Sequence, residues 1–204
     1  METNRHFQHT WKIIKIATLL LIVLSPRMIM AQTPYKLIPG KDNTIKVLGT
    51  SNVHDWTMTS TGIESQGAFK FNAREELVDV TSLKFVVQAK SLKSEKSSMD
   101  TRTYKAIKAD QFPKITYQLT SATVTATQAN KYTLQTTGNL TIAGKMQTIT
   151  MKVTALVNAD RSITVRGTQK LALTDYGIEP PSFMLGAMKV GNDLNIQFDL
   201  TYIK

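Results

Sequence analysis

His54, Asp55 and Trp56 stand side by side, and they form the one cluster in the chain whose residue types invite a sharp chemical reading. An imidazole beside a carboxylate can exchange a proton near neutral pH. The same trio can contact a polar head group, or serve only as the turn that leads into a strand. The remaining inventory narrows the choice. The chain of 204 residues has no cysteine and three histidines, His6, His9 and His54. Without cysteine there is no disulfide framework, thiol nucleophile, thiolate-held zinc or lipidated N-terminal cysteine. His6 and His9 fall in the leader described below, so a multi-histidine metal site is excluded as well. No second histidine and no evident nucleophile adjoins His54. The residues therefore point to a protein that is not an enzyme and uses no metal or cofactor.

Charge adds a second constraint. The net charge is +10, but Arg5, Lys12, Lys15 and Arg27 against Glu2 belong to the first 31 residues. The remaining positive balance favours anionic partners such as an envelope membrane surface. It is not gathered into an RRM, helix-turn-helix or KH-like pattern, so no nucleic-acid partner is expected. One segment, 94–111, carries Lys96, Arg102, Lys105 and Lys108 among its acids. It reads as a solvated helix face or as a basic flank beside a cavity mouth.

These residues must be held by strands. Threonine is abundant after Thr33, and β-branched residues suit a pleated surface. Period-2 alternation recurs along the chain. Ile149, Met151, Val153, Ala155 and Val157 share one face of 147–157. Ile163, Val165, Leu171 and Leu173 share one face of 162–173, and Leu194, Ile196, Phe198, Leu200 and Tyr202 one face of 193–204. Tyr132, Leu134, Leu140 and Ile142 do so with interruptions at Thr136 and Gly138. Phe69 with Phe71, and Leu83 with Phe85, Val87 and Ala89, mark two more strands. Others are expected at 44–51, 54–61 and 114–126. Turn residues at 143–145, 158–161 and 174–177 separate neighbours by short links, which implies antiparallel pairing; an Asx-type turn is expected at Asp175.

Segment 94–111 breaks the alternation. Ser94 or Ser97 is positioned to cap a short helix that carries Met99, Thr103 and Ile107 on one side. The pattern as a whole is compatible with a sandwich or a closed barrel.

The N-terminus reads as an address. Lys12 and Lys15 precede an apolar run from Ile16 to Leu24, broken only by Thr18. That is about half the roughly 20 residues a membrane-spanning helix needs, and it is the size of a secretory core. Cleavage is expected after Ala31, despite Ile29 at the −3 position. Residues 1–31 are thus expected to be a signal peptide and 32–204 a single domain, periplasmic or secreted.

Four segments in order carry a family resemblance. They are Gly49-Thr50-Ser51-Asn52-Val53-His54-Asp55-Trp56, then Phe112-Pro113-Lys114-Ile115-Thr116-Tyr117, then Gly138-Asn139-Leu140-Thr141-Ile142-Ala143-Gly144, and Thr174-Asp175-Tyr176-Gly177-Ile178 ahead of a closing Ile196-Gln197-Phe198-Asp199-Leu200 strand. Together they resemble the YceI-like family of polyisoprenoid-binding, lipocalin-like proteins. The resemblance implies an all-β, eight-stranded antiparallel barrel with a short helical insert near 94–111, surrounding an apolar tunnel. It implies an isoprenoid or quinone-type lipid as partner and no catalysis.

The inward-facing residues are then Phe69, Phe71, Phe85, Val87, Tyr117, Leu119, Leu134, Leu140, Met151, Val153, Val165, Leu171, Ile196 and Phe198. Apolar strand faces are ordinarily plain core; the resemblance makes these residues candidate lipid contacts, with core packing kept as the alternative for each. His54, Asp55 and Trp56 become candidate head-group contacts at the mouth. The alternative is an envelope interaction module with the same barrel packed solid.

Overall fold

The computed structural model describes residues 34–38 and 43–204. The leader expected over 1–31, with its cleavage site after Ala31, lies outside them. The long strands are β2 (Thr44–Ser51), β4 (Ile63–Phe71), β5 (Leu77–Gln88), β6 (Lys114–Gln128), β7 (Lys131–Ile142), β8 (Lys145–Val157), β9 (Ile163–Ala172) and β11 (Met188–Ile203). Shorter ones are β1 (Tyr35–Leu37), β3 (Trp56–Ser60) and β10 (Ser182–Phe183), and the one α-helix among the described residues is α1 (Ser97–Ala106). No described helix is long and apolar enough to cross a membrane.

Strands β4 to β9 pair in sequence order, each antiparallel to the next; β9 pairs β11, and β1 joins β11 to β4. The eight-stranded ring expected from the sequence is therefore closed. Closure removes the exposed backbone edges of an open sheet.

The ring is not uniform along its axis. Strand β11 pairs with β2 through Val190–Asp199 and with β1 only at Tyr202 and Ile203. Strand β3 extends β2 in the same way that β4 accompanies β1. At the β2–β3 end, among the described residues, β3 pairs with no strand other than β2; an isolated bridge joins its Thr59 to Lys93, ahead of α1. Helix α1 and the 3-10 turn Ala89–Ser91 occupy that end. One end of the barrel is thus closed by strands and the other is roofed by a helix.

The closed end is filled. Tyr35, Phe69, Leu77, Tyr132, Ala155, Ile163, Leu200 and Tyr202 are buried there in one cluster, with Phe71 packed against it. The rings of Tyr35 and Phe69 meet edge to face at 5.3 Å, a favoured aromatic geometry. A second cluster gathers Met58, Ala89, Leu92, Ile107, Ala109, Tyr176 and Ile178 under α1.

Several expectations need correction. The strand expected from residue 54 begins at Trp56, because Ser51 turns the chain first. Its Oγ accepts the N–H groups of Val53 and His54 and donates to the His54 carbonyl, satisfying the backbone locally rather than across a ladder. Neither Ser94 nor Ser97 caps α1: Lys96 holds that position without a side-chain cap. Ser94 instead turns its N–H and Oγ to Asp100, each at 2.7 Å. The helix also ends at Ala106, short of Gln111. The Asx-type turn expected at Asp175 is a 3-10 turn over Leu173–Tyr176. Asn192 holds it by accepting from the Thr174 N–H. Strands β1 and β10 escaped the sequence reading because two or three residues are too few to show a period of two.

Candidate functional site

Two apolar chambers are stacked inside the barrel. The inner one, about 130 Å³, lies toward the closed end and is walled by β4–β9, β11 and β2. The outer one, about 420 Å³, lies beneath α1. Ile45, Phe85, Leu140, Leu171 and Ile196 line both, so the two share a wall. An engineered cavity of roughly 150 Å³ already holds a benzene ring. The outer chamber is well above that size.

Strand alternation puts the expected residues here. Phe69, Tyr117, Leu119, Leu134, Met151, Val153, Val165 and Phe198 line the inner chamber. Val87 lines the outer one, and Phe85, Leu140, Leu171 and Ile196 line both. Phe71 lines neither and lies with Tyr35 at the closed end. The inner chamber exists partly because of one missing side chain: a Cβ on Gly138 would stand 2.5 Å from the Tyr117 ring and hydroxyl. Glycine there lets the tyrosine lie against the strand instead of projecting across the chamber.

His54 and Trp56 line the outer chamber; Asp55 does not, and lines a separate outer groove together with Trp56, Lys170 and Asp193. Trp56 thus stands between the two, with His54 on the chamber side and Asp55 on the groove side. The His54 Nδ1 lies 2.8 Å from the Asp55 carbonyl, and Trp56 donates from its indole to the Thr50 carbonyl at 3.0 Å. Among the described residues, no group of three or more acids, histidines or cysteines is placed to hold a metal.

The expected helix is the roof, but no residue of it is among the expected site residues. Met99, Arg102, Thr103 and Ala106 of α1, and Pro181, Phe183 and Met188 beyond the barrel, complete the outer chamber. The signal for the helix was its apolar side, and Met99, Thr103 and Ile107 do face inward; the Pro181–Met188 segment carried no periodicity to read. Helix α1 is fastened at several points. Tyr104 donates to the carbonyls of Lys90 and Leu92, and Thr103 to the Met58 sulfur. Asp100 is buried and also lies 3.6 Å from Lys93. Burial alone would raise its pKa, but the Ser94 hydrogen bonds and the lysine hold it below the usual carboxylate range.

Among the described residues, Lys96 and Arg102 are the Lys, Arg, Asp or Glu side chains lining the outer chamber, and both are cationic. The Arg102 guanidinium lies 4.3 Å from the centroid of the Phe183 ring. Of the two readings of segment 94–111, these residues fit the basic flank of a cavity.

The YceI-like domain pattern matches residues 41–202, most of the chain. The chain belongs to the YceI-like family. Solved structures of similar fold include Burkholderia cenocepacia BcnA, at a TM-score of 0.62 and 17% identity over 78% of this chain and 95% of that one. A polyisoprenoid binding domain from Saccharophagus degradans, implicated in plant cell wall breakdown, aligns at a TM-score of 0.61 and 12% identity over 82% and 97%. The Campylobacter jejuni YceI protein aligns at 0.51 and 17% over 69% and 81%. Identities this low establish a shared YceI-like fold. No curated protein matches the chain.

Proposed function

We propose that this YceI-like domain is a non-catalytic carrier that shelters one isoprenoid-type lipid, including a quinone-type lipid, in the stacked chambers. The observation that carries the reading is the apolar space itself, walled by strands and roofed by α1. An isoprenoid tail is insoluble, and each Å² of apolar surface removed from water contributes about 25 cal/mol. Leu, Ile, Val, Met and Phe walls supply this without directional contacts, and Met58 and Met99 adapt to a methyl-branched chain. The binding of polyisoprenoid by the Saccharophagus domain, which has the same fold, supports the cargo class. A barrel packed solid would leave no such space, which weighs against the interaction-module alternative.

In this reading the tail runs toward the closed end and the polar head stays beside His54, Lys96 and Arg102. Residues 1–31 direct export, and the carrier works in the periplasm or outside the cell, exchanging lipid with the envelope membrane. The test is to purify the protein from an envelope fraction without detergent, extract it with organic solvent, and identify bound lipid by mass spectrometry. About one prenyl lipid per protein is expected. A lipid-free protein that takes up neither added quinone nor prenyl phosphate overturns the proposal, and equal uptake of ordinary acyl lipids overturns the isoprenoid preference.

A further inference from the structure

Two turns meet beside the opening of the outer chamber, and both present apolar side chains to water. The first is Asn52–Asp55, between β2 and β3, whose Asp55 belongs to the neighbouring groove rather than the chamber; the second is Met184–Ala187, between β10 and β11. Ser51 and His54 at the first turn, and Phe183 and Met188 flanking the second, line the chamber, so the turns form part of its rim. Asn52 ties them together. Its Nδ2 donates to the Ala187 carbonyl at 2.8 Å, its N–H to the Lys189 carbonyl at 3.1 Å, and its Oδ1 accepts the Lys189 N–H at 2.8 Å.

At the tip, Val53 is 60% exposed, Met184 is 75% exposed, and Leu185 is fully exposed. Met184 and Leu185 also adopt φ of 54° and 55°. Such left-handed turn positions favour glycine, asparagine or aspartate. Large apolar residues there serve neither the turn nor the core. The charged side chains facing the chamber beside this tip, Lys96 and Arg102, are both cationic.

We infer that this rim is a membrane-docking surface: Val53, Met184 and Leu185 enter the interfacial region of an anionic bilayer while Lys96 and Arg102 face its phosphates. The inference rests on the reading of the barrel as a lipid carrier, because a cargo held in a bilayer must cross from it into the chamber. Continuity between the tip and the chamber opening supplies the route. Apolar side chains combined with cationic neighbours are the composition that binds such an interface.

The experiment uses the mature protein and two kinds of vesicle, phosphatidylethanolamine with phosphatidylglycerol and phosphatidylcholine alone, neither containing isoprenoid. Wild-type protein is expected to co-sediment with the anionic vesicles and much less with the neutral ones. The double variant Met184→Ser/Leu185→Ser is expected to bind the anionic vesicles at least tenfold more weakly, with unchanged circular dichroism. Independently, Leu185→Trp is expected to gain a blue-shifted emission on anionic vesicles, quenched by brominated acyl chains. Wild-type co-sedimentation by the double variant, or an unmoved Leu185→Trp emission, overturns the inference. So does a lipid-independent dimer that the double variant abolishes, since the tip would then meet a second copy. Docking is read from protein on empty vesicles and cargo from extracted lipid, so failure of either leaves the other measurable.

Discussion

Tyr202 and Tyr176 carry the same hydroxyl into different surroundings. Both are buried, and burial raises each pKa from the ordinary 10.0 to about 12. The Tyr202 hydroxyl has Ser65 Oγ at 2.9 Å, whereas that of Tyr176 has no hydrogen-bond partner among the described residues. Tyr202→Phe is therefore expected to cost about 0.5–1.5 kcal/mol, and Tyr176→Phe to leave the empty protein as stable or slightly more so. Urea unfolding of the two variants makes the comparison. Because the folded state keeps both phenols protonated, stability is full below pH 10 and falls as pH rises through about 12. Asp100 acts in the opposite direction. Its folded pKa lies below the ordinary 3.8, so its contribution is present above that pH and is lost as pH falls beneath it. Asp100→Asn is expected to remove this acid-side loss, measured as unfolding midpoints across an acid series, and to loosen the segment that holds α1.

The hairpin between β7 and β8 turns on Ala143 and Gly144, with φ of 49° and 79°. A two-residue link with both φ positive matches the twist of the strands, and it favours Asn-Gly over Ala-Gly. Ala143→Asn is expected to raise stability by about 0.5–1 kcal/mol, seen as a higher melting temperature. Helix α1 follows a different logic. It lacks a side-chain N-cap and is short, and helices of this length have little intrinsic stability. Its order comes from Tyr104, Asp100 and the cluster around Met58, and so from the barrel it covers.

For the molecule as a whole, the shared wall between the chambers decides what can be carried. Leu171 lines both, and a larger side chain there projects into the passage. Leu171→Trp is expected to retain short prenyl lipids in the outer chamber and to lose long ones. The measurement is mass spectrometry of bound lipids after exposure to a mixture of chain lengths. An unchanged length distribution would place the tail outside the inner chamber.

The sequence by itself determined the strand faces, the antiparallel neighbours, the helical interruption and most of the inner chamber's wall. These are local properties: a strand repeats every two residues, and a short turn forces adjacent strands to pair. Ile149, Met151 and Val153 face inward for that reason alone. Tertiary structure decided the rest. Closure of the ring depends on Tyr35–Leu37, a strand of three residues whose partners lie far away at Gln66–Gly67 and Tyr202–Ile203. The placement of His54 on the chamber and of Asp55 off it depends on the Ser51 turn, and the roof depends on where α1 and Pro181–Met188 come to rest. Apolar alternation is the same for a filled core and for a lined cavity. Only the spacing of the walls, set by eight strands closing around Gly138 and Tyr117, left space between them.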